Sequence, residues 1–432
     1  DRADKMTTVL DRLLAKQVKR GRLELTYASG RKVTFGEPCE GYPDVAVRFT
    51  DDKVARDIVM DPRLGAGETY MDGRMVLESG GIMELVQLIQ MNSPWEGKGR
   101  LIEPTALRRF GRRVACVWGQ FNKPNSARKN VAHHYDIGND LYKLMLDAEH
   151  MQYSCAYWPH EGMTLDEAQE AKLAHIAAKL AIEPGNTVLD IGCGWGGMAI
   201  YLARKYGVSV HGITLSEEQI ALAKQRAEAA GVADKVRFEL VDYRELDGRG
   251  VAYDRIVSVG MFEHVGTPQY ETFFRTCYNL MKPDGVALIH TIGRMDGPSR
   301  TDAFTDKYIF PGGYIPALSE AITRSEKMKL IATDIETLRL HYAKTLRAWY
   351  GRCMEHKDEI VAMFDERFFR LWTFYLSGAT ASFESGGLCN YQIQYARSRT
   401  SLPLTRDYME ARERALLGGP EQEQREKVLL GS

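Results

Sequence analysis

Thr187-Val188-Leu189-Asp190-Ile191-Gly192-Cys193-Gly194-Trp195-Gly196-Gly197 is the stretch whose reading decides the fold of this chain. A short apolar run ends in glycines and leads into an amphipathic segment from Met198, the pattern of a buried strand, a tight turn and a helix. Four more apolar runs follow at strand length: Ser209 to Thr214, Val236 to Asp242, Asp254 to Gly260 and Gly285 to Thr291. Their apolar positions are nearly continuous, as in strands covered on both faces, and helical periodicity fills the gaps, which predicts a Rossmann-like, doubly wound α/β sheet. Ser216 and Gln219 read as an S-x-x-Q capping box opening the second helix. Two later runs, Leu330 to Leu338 and Asn390 to Ala396, are candidates to complete the sheet.

Two ligand classes compete for such a glycine loop. A dinucleotide site needs an acid at the end of the second strand for the ribose. Here that strand ends in Ile213-Thr214-Leu215-Ser216, and Glu217 and Glu218 are already explained as first-turn helix residues complementing the macrodipole. With Asp190 two residues before Gly192, the form D-I-G-C-G-W-G-G instead resembles the S-adenosylmethionine loop of class I methyltransferases, in which Asp242-Tyr243 would cover the adenine.

Outside the sheet, Val9, Leu10, Leu13, Leu14 and Val18 recur at helical spacing and Leu23 to Tyr27 alternate, so a smaller amino-terminal α/β domain is expected at 1–121. The boundary is placed near Asn122 to Asn130, with a catalytic domain at 122–432. The Pro- and Gly-containing stretch around 296–326 is expected to be a substrate lid. At 432 residues the chain is long enough for two domains. A net charge of −1 argues against a protein built to neutralise nucleic-acid phosphates. Arg108, Arg109, Arg112 and Arg113 cluster locally, either as a solvated helix face or as a patch drawn to an anionic membrane. Seven cysteines without metal-ligand spacing predict a reducing, cytoplasmic setting, no disulfide framework and no metal. With no apolar run long enough to span a bilayer, any membrane contact is expected to be peripheral, at the inner surface.

Five ordered blocks carry a closer resemblance: His134 to Asp140, Met151 to Trp158, Leu189 to Gly197, Val259 to Gly266 and Leu288 to Gly293. Together they resemble cyclopropane fatty acid synthases and the related mycolic acid cyclopropane synthases. A weaker echo, Gly67-Glu68-Thr69-Tyr70-Met71-Asp72-Gly73, resembles the amino-terminal domain of the bacterial phospholipid-acting branch, which favours that branch. The resemblance implies cofactor contacts from Tyr153, Ser154, Gly192, Gly194, Thr214, Gln219, Asp242 and Tyr243, to which the loop reading adds Asp190; Gln219 would stand in for the missing ribose acid. It further implies a bicarbonate ion as catalytic base, at positions matching Cys155, Glu263, His290, Ile292 and Tyr342, with Cys155 and Ile292 acting mainly through backbone groups. It suggests a homodimer.

The implied reaction adds a methylene unit from S-adenosylmethionine to the cis double bond of an unsaturated phospholipid acyl chain. Methyl transfer would leave a carbocation, to be shielded by aromatic faces among Tyr153, Tyr157, Trp158, Tyr308, Phe310 and Tyr314, each of which could equally be core packing. Ring closure then needs a base near the transferred methyl. Glu263 and His290 fall at strand ends beside the glycine loop, where open α/β sheets bind ligands. The alternative is an acyl-chain methyltransferase giving a methyl- or methylene-branched lipid by a different proton loss. A nucleic-acid amine methylase would usually carry Asn/Asp-Pro-Pro-aromatic where this chain has Gly260-Met261-Phe262-Glu263, and a non-catalytic lipid sensor would be expected to lack Glu263 or His290.

Overall fold

The computed structural model describes residues 2–97, 137–299 and 301–418. The boundary expected at 122–130, the Arg108 to Arg113 cluster and His133 to Asp136 lie outside them. The described residues form two compact units, one of 2–97, 301–311 and 342–388, the other of 137–299, 312–341 and 389–418. The first unit therefore takes two segments that the sequence reading gave to the catalytic domain. The 296–326 stretch, expected as one lid, is divided between the units.

In the first unit a four-stranded sheet has the order β2-β1-β3-β4, formed by β1 (Arg22–Thr26), β2 (Lys32–Phe35), β3 (Asp44–Phe49) and β4 (Met75–Ser79). Alternation puts Leu23 and Leu25 of β1 and Val45, Val47 and Phe49 of β3 into one core with Leu10, Val54, Ile82 and Leu88 of the flanking helices. The amino-terminal helix Arg2–Gln17 buries Leu10 but leaves Val9 and Leu13 exposed. The Gly67 to Gly73 block ends the helix Pro62–Met71, and its residues account for the recruited segments. A Cβ on Gly67 would come within 2.4 Å of the Phe304 ring and 2.8 Å of Phe374. Glu68 accepts from Lys307 Nζ and the Tyr308 hydroxyl, and Asp72 accepts from Arg367 Nε.

In the second unit a seven-stranded sheet has the order β10-β11-β9-β8-β5-β6-β7. Its strands are β5 (Thr187–Ile191), β6 (Ser209–Thr214), β7 (Val236–Leu240), β8 (Tyr253–Val259), β9 (Met281–Arg294), β10 (Ile331–Leu338) and β11 (Leu388–Ala396). The pairs β5/β6, β6/β7, β5/β8 and β8/β9 are parallel, while β10 and β11 pair antiparallel at one edge. Successive residues feed opposite cores: Leu189, Ile256 and Ile289 join Phe262, Phe273 and Phe274 in one, and Val188, Val257 and Leu288 join Leu173, Leu202 and Val210 in the other. That two-sided burial explains why these strands read as continuous apolar runs. The helix Leu165–Lys179 is capped by Thr164 and Glu167 in a reciprocal box. The helix Glu217–Ala229 departs from expectation: Ser216 Oγ accepts from Gln219 N, but the Gln219 side chain does not return the bond and instead accepts from Thr214 Oγ1 at 2.8 Å. The box is half formed, and the freed amide side chain lies at the sheet's carboxyl end.

Candidate active site

The strand β5 stops at Ile191, and the chain turns through Gly192 (φ 81°) and Gly194 (φ 53°), conformations that a side chain would strain. The N–H groups of Gly192 and Cys193 both donate to Ile213 O at 2.9 Å, tying the loop to β6. Around this loop lies a cavity at the carboxyl ends of β5 to β8, where a doubly wound sheet opens its crevice. All nine residues expected to hold the cofactor line it: Tyr153, Ser154, Asp190, Gly192, Gly194, Thr214, Gln219, Asp242 and Tyr243.

The wall is polar where the backbone ends and apolar between. Asp190 is buried, its Oδ2 without a hydrogen-bond partner among the described residues, and burial pushes its carboxyl up to about 7 against the pull of the Lys172 ammonium. Asp242 is held by Arg244, whose Nε and Nη2 donate to its two oxygens at 2.8 and 2.6 Å while the Arg244 N–H adds a third bond. Tyr153 packs its ring on Tyr142, which in turn packs on Trp195. His264 also lines the cavity and is driven down to about 4 by burial, so it is neutral at physiological pH.

Two residues beyond Met261 of the cavity wall, a 3-10 turn at Phe262–His264 carries Glu263. Glu263 Oε1 accepts from the Ile292 N–H at 2.7 Å, which joins two of the expected catalytic positions directly. Its Oε2 is buried without a hydrogen-bond partner among the described residues, and burial pushes the carboxyl up to about 7. His290 lies inside β9, which runs on to Arg294; it is nonetheless the last residue paired with β8, opposite Val259. The Gln392 amide of β11 donates to His290 Nδ1 at 3.0 Å. Burial holds the imidazole far below its usual range, so the ring is neutral; with Nδ1 accepting from Gln392 its proton lies on Nε2, an atom that also lacks a partner among the described residues. A buried acceptor and a buried donor therefore stand unsatisfied on neighbouring segments, a costly arrangement unless a ligand or water meets them.

Cys155 is fully buried, its thiol against Ala156 O, and burial raises its pKa, which makes it inert as a nucleophile. Tyr342 belongs to the first unit, in the opening turn of the helix His341–Glu355, with its ring edge-on to Trp349 and Phe383. Of the six aromatics considered for cation shielding, Tyr153 lines the cavity, and Trp158 donates its backbone N–H to His341. Tyr157 stacks on His175 at 4.0 Å, and Tyr314 is a core residue whose hydroxyl donates to Glu320. In the first unit, Tyr308 is bonded to Glu68 and Phe310 packs on Tyr375. For Tyr157 and Tyr314 packing thus accounts for the ring. The sequence reading missed Lys172, Gln152, Gln169 and Arg244. Lys172 had a signal: it sits at helical spacing with Leu165, Ala168 and Ile176, in an apolar stripe where a lysine is out of place. Among the described residues no group of His, Cys, Asp and Glu is arranged to hold a metal ion, and no helix is long and apolar enough to cross a membrane.

The strand order, the glycine loop after β5 and the cavity at the strand ends define a class I methyltransferase fold. The solved structure of mycolic acid cyclopropane synthase CmaA1 complexed with SAH and CTAB superposes with a TM-score of 0.59 and 33% identity, covering 64% of this chain and 99% of that one. The profile of the family described as mycolic acid cyclopropane synthetase matches residues 122–393, and the chain belongs to that family. It is 36% identical over 364 residues to cyclopropane-fatty-acyl-phospholipid synthase of Escherichia coli (strain K12), covering 84% of this chain and 90% of that protein. It is 34% identical over 406 residues to tuberculostearic acid methyltransferase UfaA1 of Mycobacterium tuberculosis (strain ATCC 25618 / H37Rv), covering 89% and 90% respectively.

Proposed function

We propose that this chain is an S-adenosylmethionine-dependent cyclopropane-fatty-acyl-phospholipid synthase, adding a methylene unit across the cis double bond of an unsaturated phospholipid acyl chain. The observation that carries the reading is the convergence on one cavity of all nine residues assigned to the cofactor, in a chain whose likeness to the E. coli synthase extends over 84% of its length. S-adenosylmethionine supplies an electrophilic methyl carbon and departs as a neutral thioether. In the balance of the reaction that carbon bonds to both alkene carbons, its bond to sulfur breaks, and one of its protons is lost. The chain's own part is to hold the reactants in line and to place a base.

Glu263 and His290 fit a small oxyanion: Nε2–H of His290 can donate to it and Glu263 Oε2 can share its proton. These residues, with the backbone of Cys155 and Ile292, would hold bicarbonate, whose contribution is a base for the methyl proton. The Ile292 N–H already serves Glu263 and would be shared. Tyr342 enters this set on the resemblance alone.

Mass spectrometry after incubation with S-adenosylmethionine and vesicles of an unsaturated phospholipid tests the reading. A gain of one methylene with loss of the alkene supports it. A gain with the alkene retained, or with a saturated methyl branch, favours an acyl-chain methyltransferase, the reading that the likeness to UfaA1 keeps in play. Peripheral membrane contact through Arg108, Arg109, Arg112 and Arg113 belongs to the same proposal; charge reversal there should weaken binding to anionic vesicles in a salt-dependent way, and unchanged binding would sink it. A homodimer is the proposed assembly, to be checked by sedimentation.

A further inference from the structure

The helix Leu165–Lys179 aims two side chains, Gln169 and Lys172, at the segment that closes the cofactor cavity. Lys172 is 0% exposed, and its Nζ donates to Gln152 Oε1 and to Ser154 Oγ, both at 2.7 Å. One turn away, Gln169 Nε2 donates to the carbonyl oxygens of Ser154 and Gln152 at 3.0 and 3.3 Å. Gln152 and Ser154 both line the cavity. Full burial of a lysine is costly, and packing alone would be better served by Leu or Met.

The chemistry of an ammonium explains the choice. It has three donors and no acceptor, so Ser154 Oγ must accept from it, and the serine's own proton is turned away. We propose that Lys172 is a positioning residue for the cofactor: by occupying the acceptor side of Ser154 Oγ it presents the Ser154 hydroxyl to the cavity as a donor. The inference rests on the S-adenosylmethionine reading and adds to it a residue that never touches the ligand. A second role follows from position. The ammonium is the counter-charge for Asp190 in the same wall, and burial lowers Lys172 to about 7 while Asp147, Cys155 and Asp190 act to hold it up. Among the described residues, His150 and His290, both buried and driven toward the neutral form, also feel its charge.

A double-mutant cycle reads the coupling. Calorimetric affinity for S-adenosylmethionine is measured for the wild type, Lys172→Met, Ser154→Ala and the double variant. Loss of one charge-assisted hydrogen bond sets the expectation of about 10-fold for each single change, with the double variant no weaker than the weaker single. Losses that multiply to about 100-fold, or an unaffected Lys172→Met protein, would overturn the proposal. Should Lys172→Met fail to fold, Ser154→Ala against the wild type decides the matter through pH. Above about 7 the neutral amine can accept the serine proton and withdraw it from the cavity, so the affinity ratio of wild type to Ser154→Ala should fall as pH rises through that value. A pH-independent ratio counts against the proposal. If the wild type itself binds no S-adenosylmethionine, the functional reading fails, and the role of Lys172 falls with it.

Discussion

Replacing Glu263 by Gln separates what the site costs from what it does. The Glu263 carboxyl is fully buried and pushed from 4.5 to about 7 by desolvation, so the folded state favours the protonated form. The sign follows from linkage. Below the unfolded pKa both states carry the proton and no penalty exists. Between 4.5 and about 7 the unfolded chain ionises while the folded one resists, so stability falls as pH rises, and above about 7 the loss is complete. At 1.36 kcal/mol per pH unit the rise corresponds to about 3 kcal/mol. Gln keeps the acceptor for the Ile292 N–H and does not titrate, whereas the other ionisable groups are common to both proteins and cancel in the difference. Urea midpoints of the two proteins, compared from about pH 5 to about pH 8 in bicarbonate-free buffer, should diverge in favour of Glu263→Gln by about 3 kcal/mol. The same variant should lose ring formation by about 100-fold or more. A stability difference that does not change with pH would refute the reasoning, because it would mean that Glu263 ionises in the fold at no cost.

Three further changes probe different parts of the site. Gly197→Ala places a Cβ 2.1 Å from His150 O and 2.4 Å from Gln152 Nε2, and should cost about 1–3 kcal/mol in urea unfolding while weakening cofactor binding. Asp242→Asn breaks the two-point pairing with Arg244, and calorimetry should show about 10-fold weaker S-adenosylmethionine binding. His290→Asn removes a residue that does not line the cofactor cavity, so product formation should fall about 100-fold with cofactor affinity unchanged; a matching loss of affinity would place His290 in binding instead.

What could be read from the sequence follows from which interactions are local. The strands β5 and β8 and the middle of β9 were legible because each holds a short apolar run buried on both faces, whereas β7 alternates, with Arg237 exposed between Val236 and Phe238; the residues just beyond β5 to β8 were legible as lining the cavity because the crevice of such a sheet has a fixed place. The division into units was not. Gly67 against Phe304, Glu68 to Lys307 and Asp72 to Arg367 are pairings across more than 200 residues, on which no periodicity reports. Gln219 was read as half of a capping box because its spacing from Ser216 is right; that the amide turns to Thr214 instead is decided by tertiary context. Lys172 is easily passed over because a lysine in a helix is ordinarily a surface residue; its helical spacing with Leu165, Ala168 and Ile176 is the signal that it lies on the buried face.

The ionisable groups around the cavity share one physical cause and meet it in two ways. Burial moves Lys172 and Asp190 from opposite directions to about 7, and each offsets the other's charge. Glu263 reaches about 7 by the same cause, and among the described residues what counters its charge is hydrogen-bond donors, the Ile292 N–H first. In the first, Ser154 is presented to the cavity as a donor while Lys172 is protonated, so the donor pattern of the wall changes as pH rises through about 7. The second leaves a buried carboxyl that takes up or gives up its proton near neutral pH. On the proposed function the Lys172–Asp190 pair would serve cofactor binding and the carboxyl past the end of β8 would serve ring closure, a division that Lys172→Met and Glu263→Gln test separately.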